Sequence, residues 1–201
     1  MTFIAAAQIE TRAAEMWQRH QLAPAFDEER LLDELEIDLL WEEISDEDGG
    51  VILGQLIPVE RLIILNHNHR QRLEEKDGRL RRYTIGHELG HWVLHSRAAS
   101  TQTLFVNGRT WCRDGSAHPL ERQAEQFSAC LLMPRDLVRE RLPASPWNGW
   151  PPVYRLADGF GVNVTPMKIR LEELGWMHLD DSGTPRSGPS KDPAQDALFE
   201  T

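Results

Sequence analysis

The chain has 201 residues and a net charge of −10, and its 40% hydrophobic and 27% charged residues are typical of a globular protein. No apolar run approaches the roughly 20 residues that a membrane-spanning helix needs, so we expect no membrane partner. Residues 27–48 hold twelve acids and one arginine, and the rest of the chain is close to neutral, which argues against direct binding of nucleic acid.

The first predicted elements are a helix and a small sheet. Residues 5–20 place alanines, Met16 and Trp17 on one side of a helical repeat, and they lack the basic leading segment of a signal peptide. Three candidate strands follow within residues 35–65, as expected for a small antiparallel or mixed sheet. Residues 67–80 are charged and contain a glycine, and they are interpreted as a loop.

Helices are predicted after this loop. Residues 83–97 and 119–133 are two strong helices, and the Asn-Gly pair within 103–112 predicts a short hairpin between them. The second helix begins at a proline, which a first turn tolerates, and it stops before Pro134, which opens a shorter helix.

The last ordered part is predicted to be a pair of helices at 154–178, with Thr165 as the N-cap of the second helix. The tail at 181–201 is rich in glycine, proline, serine and acids, and it is predicted to be disordered. Residues 1–180 are therefore expected to form a single domain of the α+β class. The two cysteines are expected to be reduced thiols, which indicates a cytoplasmic protein.

The sequence RRYTIGHELGHWVLHS at residues 81–96 contains the pattern His-Glu-x-x-His. On a helix His87 and His91 lie one turn apart on one face, so their imidazoles can reach one metal ion. Glu88 points toward the same cleft, where it can act as general base for a metal-bound water. Gly90 is unfavourable inside a helix, and close packing beneath the metal is one reason for its presence.

A third metal ligand is predicted on the helix at 119–133, whose apolar face holds Ala124 and Phe127. Glu121 and Glu125 lie one turn apart on this helix. Two histidines and one glutamate form a common zinc site, with Glu121 as the ligand and Glu125 accepting a hydrogen bond from a ligand histidine. Spacing alone leaves the opposite assignment of the two glutamates open.

Both motifs together resemble the ImmA/IrrE family of bacterial and phage metallopeptidases. The family shows a His-Glu-Leu-Gly-His helix that ends in Leu-His, followed by a helix of the form Glu-x-x-Ala-Asn/Asp-x-Phe-Ala-x-x-Leu-Leu-Met-Pro, which the sequence ERQAEQFSACLLMP at residues 121–134 resembles. The resemblance also covers the looser layout of about residues 35–175. It favours Glu121 as the ligand, because the family's Asn/Asp position falls on Glu125, and Ser128 stands where alanine is usual.

The resemblance implies a small β-sheet packed against a zincin-like helical core. It also implies one Zn²⁺ held by His87, His91 and Glu121, although this ligand set accepts Mn²⁺ as well. The implied activity is that of an endopeptidase whose protein substrate is a helix-turn-helix transcriptional repressor. His118 and Tyr154, with Arg155, are candidates for a group that stabilises the transition state, although each is more often a surface or packing residue.

Two further residues have alternative interpretations. His95, one turn after His91, could support a ligand, but a structural role near the end of the helix is favoured. Cys112 could occupy the open metal position, but an incidental thiol is favoured.

Two other functions are compatible with the sequence. The first is a non-proteolytic interaction module, such as the toxin–antitoxin or regulatory partner of a DNA-binding protein, although an intact Glu88 argues against it. The second is DNA binding through the 154–176 helix pair, which its few basic residues disfavour.

Overall fold

The computed structural model describes residues 4–46, 51–96 and 119–189. Its elements form a mixed α+β fold, as predicted, in two compact units at residues 1–132 and 133–201. The predicted hairpin at 103–112, Cys112 and His118 lie outside the described residues. Within the described ranges no helix combines the length and the apolar character needed to cross a bilayer.

Three strands form the sheet of the first unit, and the three predicted strand regions are confirmed. The central strand β3 (Leu62–Asn66) pairs in parallel with β1 (Asp38–Glu42) and antiparallel with β2 (Gly54–Ile57). Ile63, Ile64 and Leu65 are all buried, as expected for a central strand covered on both faces. Both β1 and β2 are therefore edge strands of this sheet.

The buried amide of Asn66 holds the ends of this sheet together. Its Oδ1 accepts hydrogen bonds from the backbone N–H groups of Ile44 and Asn68, and its Nδ2 donates to the carbonyls of Ile44 and Ile52. A fully buried amide with these four bonds satisfies its donors and acceptors without water.

The helices of the first unit are α1 (Ala6–Arg19), α2 (Glu28–Glu34), α3 (Arg70–His95) and α4 (Pro119–Leu132). Helix α1 confirms the predicted N-terminal helix, and its residues Ile9, Ala13 and Met16 are buried at helical spacing. Asp27 is the N-cap residue of α2, and its side chain accepts hydrogen bonds from the first turn of the helix.

The loop predicted at residues 67–80 is instead mostly helical. Helix α3 begins at Arg70 and is interrupted at residues 75–78, where Lys76, Asp77 and Gly78 adopt positive φ angles. The charged first turn is stabilised by its own ion pair between Arg70 and Glu74, 3.1 Å apart. The break at Gly78 separates this turn from the long segment that carries the histidines.

Helices α3 and α4 cross at very small separation at Gly90. A Cβ atom at Gly90 would lie 2.7 Å from the carbonyl oxygen and 2.8 Å from the Cα of Ala124. Gly86, one turn earlier, likewise faces Ser128 of α4. The absence of a side chain at Gly90 therefore permits the backbones to approach, which accounts for a glycine inside this helix.

We expect Gly90→Ala to destabilise the protein, although alanine is the better helix former. The new Cβ meets backbone atoms that cannot rotate away, and such overpacking costs about 1–3 kcal/mol against a helix-propensity gain of about 1 kcal/mol. Denaturant unfolding measures the change. Gly159→Ala is the matched control, because there the Cβ would meet only the end of the Arg141 side chain, at 3.2 Å. Equal stability changes in the two variants would contradict this account.

The second unit contains three helices and a two-stranded hairpin. The helices are α5 (Arg135–Arg141), α6 (Pro151–Phe160) and α7 (Val164–Glu173). Asn163 is the N-cap residue of α7 in place of the predicted Thr165, which lies inside the first turn. The helix therefore begins earlier than expected, and Pro166 is tolerated because the first four N–H groups of a helix have no internal partner.

The hairpin corrects the predicted disorder after residue 180. Strands β4 (Met177–Leu179) and β5 (Pro185–Ser187) pair antiparallel. The carboxylate of Asp180 accepts hydrogen bonds from Ser182, Thr184 and Arg186, which fixes the turn. These side-chain bonds are a local source of order that a composition rich in glycine and serine does not reveal. Residues 190–201 lie outside the described residues.

Candidate metal centre

Helix α3 carries four polar side chains at the turns that face α4. His87, Glu88, His91 and His95 lie on its last three turns, and Glu88, His91 and His95 are buried. The four-residue spacing of the histidines places them on one side of the helix. Helix α4 brings Glu121 to the same place from its first turn.

The donor atoms of His87, His91 and Glu121 form a compact triangle. His87 Nε2 lies 3.1 Å from His91 Nε2 and 3.1 Å from Glu121 Oε2, and His91 Nε2 lies 3.4 Å from Glu121 Oε1. Ligands about 2.0–2.1 Å from a tetrahedral zinc ion are about 3.3 Å apart. Among the described residues these three form the one group of histidine, cysteine or acidic side chains able to hold a metal ion.

The protonation of this triangle reflects its burial and its mutual charges. Burial opposes a charge on His87, but the hydrogen bond with Glu121 and the charges of nearby glutamates raise its pKa. Burial likewise disfavours the charged Glu121, but hydrogen bonds from both histidines lower its pKa to about 2. Glu121 is thus a carboxylate at neutral pH, as a metal ligand must be.

Glu88 is buried beside the triangle and against the edge strand β2. The backbone N–H of Leu56 donates a hydrogen bond to its carboxylate. Burial raises the pKa of Glu88, and electrostatic interactions with His87 and His91 oppose that rise only in part. A carboxylate with a raised pKa, held by one hydrogen bond, is suited to accept and return a proton.

Glu125 lies on α4 one turn after Glu121, near the triangle. Its carboxylate is close enough to interact electrostatically with His87 and Glu121, and burial raises its pKa. Within the part of the chain that the structure describes, however, no hydrogen bond joins it to His87 or His91. Glutamate has a longer side chain than the Asn or Asp that the family has at this position, and the sequence already shows this departure.

His95 contacts the ring nitrogen of His91 that lies away from the triangle. Its Nδ1 lies 3.1 Å from His91 Nδ1, and its Nε2 lies 3.0 Å from Gln123 Oε1. Burial lowers the pKa of His95 to about 4, so its ring is neutral at physiological pH. Sequence reasoning missed Gln123, although its spacing with Phe127 and Leu131 marked a polar residue on a buried face.

Tyr154 and Arg155, two of the predicted transition-state groups, lie among the described residues. Tyr154 lies on α6 in the second unit, is 47% exposed and stacks on Trp150. The role of Tyr154 and that of His118 stay predictions.

The thiol of Cys130 is buried in the first unit, and its Sγ lies 3.3 Å from Glu10 Oε2.

The α+β fold and the helix that carries His-Glu-x-x-His define a zincin-like protein. The family model of peptidase M78, described as the IrrE N-terminal-like domain, matches residues 55–172, and the chain belongs to this family. The match confirms the resemblance to ImmA/IrrE proteins. It includes most of β2 and all of α3 and α4, and hence all three donors of the triangle.

The chain is also similar to a solved structure, that of a Mycobacterium tuberculosis transcriptional regulator. The two share 17% sequence identity with a TM-score of 0.53, over 93% of this chain and 56% of the regulator. The chain therefore spans 56% of that protein's length, and at this identity the likeness concerns the fold alone. No curated protein sequence matches the chain.

Proposed function

We propose that the protein is a zinc-dependent endopeptidase. The observation that supports this most directly is the convergence of His87 Nε2, His91 Nε2 and a Glu121 carboxylate oxygen within 3.1–3.4 Å, next to the buried Glu88. Two neutral imidazoles and one carboxylate fit Zn²⁺ and leave a coordination position open. The same donors also accept Mn²⁺.

In this proposal each side chain has a distinct task. His87, His91 and Glu121 hold the ion, which when bound supplies Lewis-acid activation of water and of the scissile carbonyl. Glu88 accepts the proton of the attacking water and returns it to the amine of the leaving peptide. The Leu56 N–H holds the Glu88 carboxylate, which keeps the accepting oxygen in place.

We further propose that the substrate is a regulatory protein of the cytoplasm, such as a helix-turn-helix repressor. The relationship to ImmA/IrrE proteins supports this class of substrate. The net charge of −10 suits a protein that meets a basic DNA-binding partner and does not itself contact DNA.

A peptide library tests the endopeptidase activity without knowledge of the substrate. The full chain, loaded with zinc, is incubated with peptides generated from a bacterial proteome, and new termini are mapped by mass spectrometry. We expect internal cuts that share a sequence preference and that disappear when 1,10-phenanthroline removes the metal. A second arm co-expresses the protein with any repressor encoded beside its gene and looks for a truncated repressor.

The two arms separate the proposed activity from the proposed substrate. Metal-dependent cuts in the library with an intact repressor contradict the choice of substrate only. A zinc-loaded protein that cuts neither contradicts the endopeptidase and favours the alternative, a metal-fold interaction module of a regulator.

A further inference from the structure

Three buried side chains form a continuous chain of hydrogen bonds behind the candidate metal centre. His91 Nδ1 lies 3.1 Å from His95 Nδ1, and His95 Nε2 lies 3.0 Å from Gln123 Oε1. All three side chains are at most 6% exposed. The other ring nitrogen of His91, Nε2, is the one that faces His87 and Glu121.

The two ends of this chain determine where its protons lie. A histidine that binds a metal through Nε2 must keep the lone pair there, so its proton is on Nδ1. His91 Nδ1 can then only donate, and His95 Nδ1 must accept. The remaining proton of a neutral His95 is on Nε2, where it needs an acceptor, and the amide oxygen of Gln123 is that acceptor.

We propose that Gln123 is a positioning residue that sets the tautomer and ring orientation of the metal ligand His91 through His95. This inference depends on the proposed metal site. Gln123 touches neither the donors of the triangle nor Glu88 in any described contact, and it acts through one intervening imidazole. His95 thus connects a ligand on α3 with an amide on α4 through two hydrogen bonds, and in each of them the donor and the acceptor are fixed.

Because Gln123 lies on α4, this helix contributes to the proposed metal site in two ways. Glu121, two residues earlier on the same helix, reaches the donor triangle directly. Helix α4 therefore fixes one ligand by its own carboxylate and orients a second ligand by the amide of Gln123. A reversed amide would present N–H groups to His95 Nε2 and require the opposite order of protons, which leaves no lone pair for a metal on His91 Nε2.

The test measures zinc affinity of the full chain by competition with a chromophoric chelator. Gln123→Met keeps the length of the side chain and removes the acceptor, and we expect a loss of roughly 10- to 100-fold in affinity, as for other hydrogen-bond partners of metal ligands. Gln123→Glu restores an acceptor and is expected to bind zinc at least as tightly as wild type.

Ser128→Ala is the matched control for packing between α3 and α4. Ser128 is also buried on α4, and its hydroxyl donates to the Tyr83 carbonyl of α3 at 3.1 Å. We expect Ser128→Ala to lower stability without changing zinc affinity. Unchanged affinity in Gln123→Met, or an equal loss in Ser128→Ala, would overturn the proposal.

A measurement on the wild-type protein avoids the question of whether a variant folds. In the zinc-loaded, ¹⁵N-labelled chain, long-range proton–nitrogen correlation spectra identify the protonated nitrogen of each imidazole. We expect the proton of His91 on Nδ1 and that of His95 on Nε2, and a His95 proton on Nδ1 overturns the proposal. A wild-type chain that binds no zinc contradicts the proposed metal site itself, which distinguishes the two failures.

Discussion

The Glu88→Gln variant is expected to bind zinc and to lose peptide hydrolysis by roughly 10²- to 10⁴-fold, the usual contribution of a general base. Glutamine has nearly the same shape, and its amide oxygen can still accept the Leu56 hydrogen bond, but it cannot take a proton from water. The rate is measured as kcat/KM on a peptide selected from the library cuts. Metal content is measured on the same sample.

The matched control is Glu74→Gln, which removes an exposed carboxylate from the same helix. Glu74 pairs with Arg70 at 3.1 Å in the first turn of α3, before the break at 75–78. We expect wild-type hydrolysis from this control. If Glu88→Gln hydrolyses peptides as fast as wild type, another group is the base, and Glu125, with its raised pKa, is the next candidate.

Removal of the proposed third metal ligand is expected to have the second large effect. Glu121→Gln should lower zinc affinity by more than the roughly 10- to 100-fold that loss of a ligand's hydrogen-bond partner costs, because both the donor oxygen and its charge are lost. Hydrolysis should fall with it at limiting zinc. Chelator competition and metal content measure the change.

Glu125→Gln is the counterpart one turn later on the same helix. It removes a partly buried carboxylate that makes no described hydrogen bond to a ligand histidine, so we expect zinc affinity close to that of wild type. Tight zinc binding by Glu121→Gln together with weak binding by Glu125→Gln would reverse the assignment of the two glutamates.

The part of the site that lies on one helix could be predicted from sequence. His87, Glu88 and His91 share a helix, so their mutual placement follows from the 3.6-residue repeat alone. The contribution of α4 depends on tertiary structure. Glu121 and Glu125 both occur at suitable spacing, and only the crossing of α3 and α4 determines which carboxylate reaches the histidines.

Two predictions about the fold are wrong, and each error has a local physical cause. The first turn of α3 is rich in charge and precedes Gly78, a composition that resembles a loop, but the Arg70–Glu74 pair supports a helix. The hairpin after residue 180 depends on hydrogen bonds that the Asp180 carboxylate accepts from the backbone N–H groups of Ser182 and Thr184 and from the Arg186 side chain. Hydrophobic periodicity carries no information about either interaction.

The contact of Gly90 with Ala124 has a thermodynamic consequence. The proposed metal would take two donors from α3 and one from α4, so its binding free energy and the docking free energy of the two helices are linked. An ion present at 100 times its Kd would stabilise the folded state by roughly 2.7 kcal/mol, because the helix crossing that Gly90 permits brings its donors together. Metal supply would then change the fraction of folded protein as well as its activity.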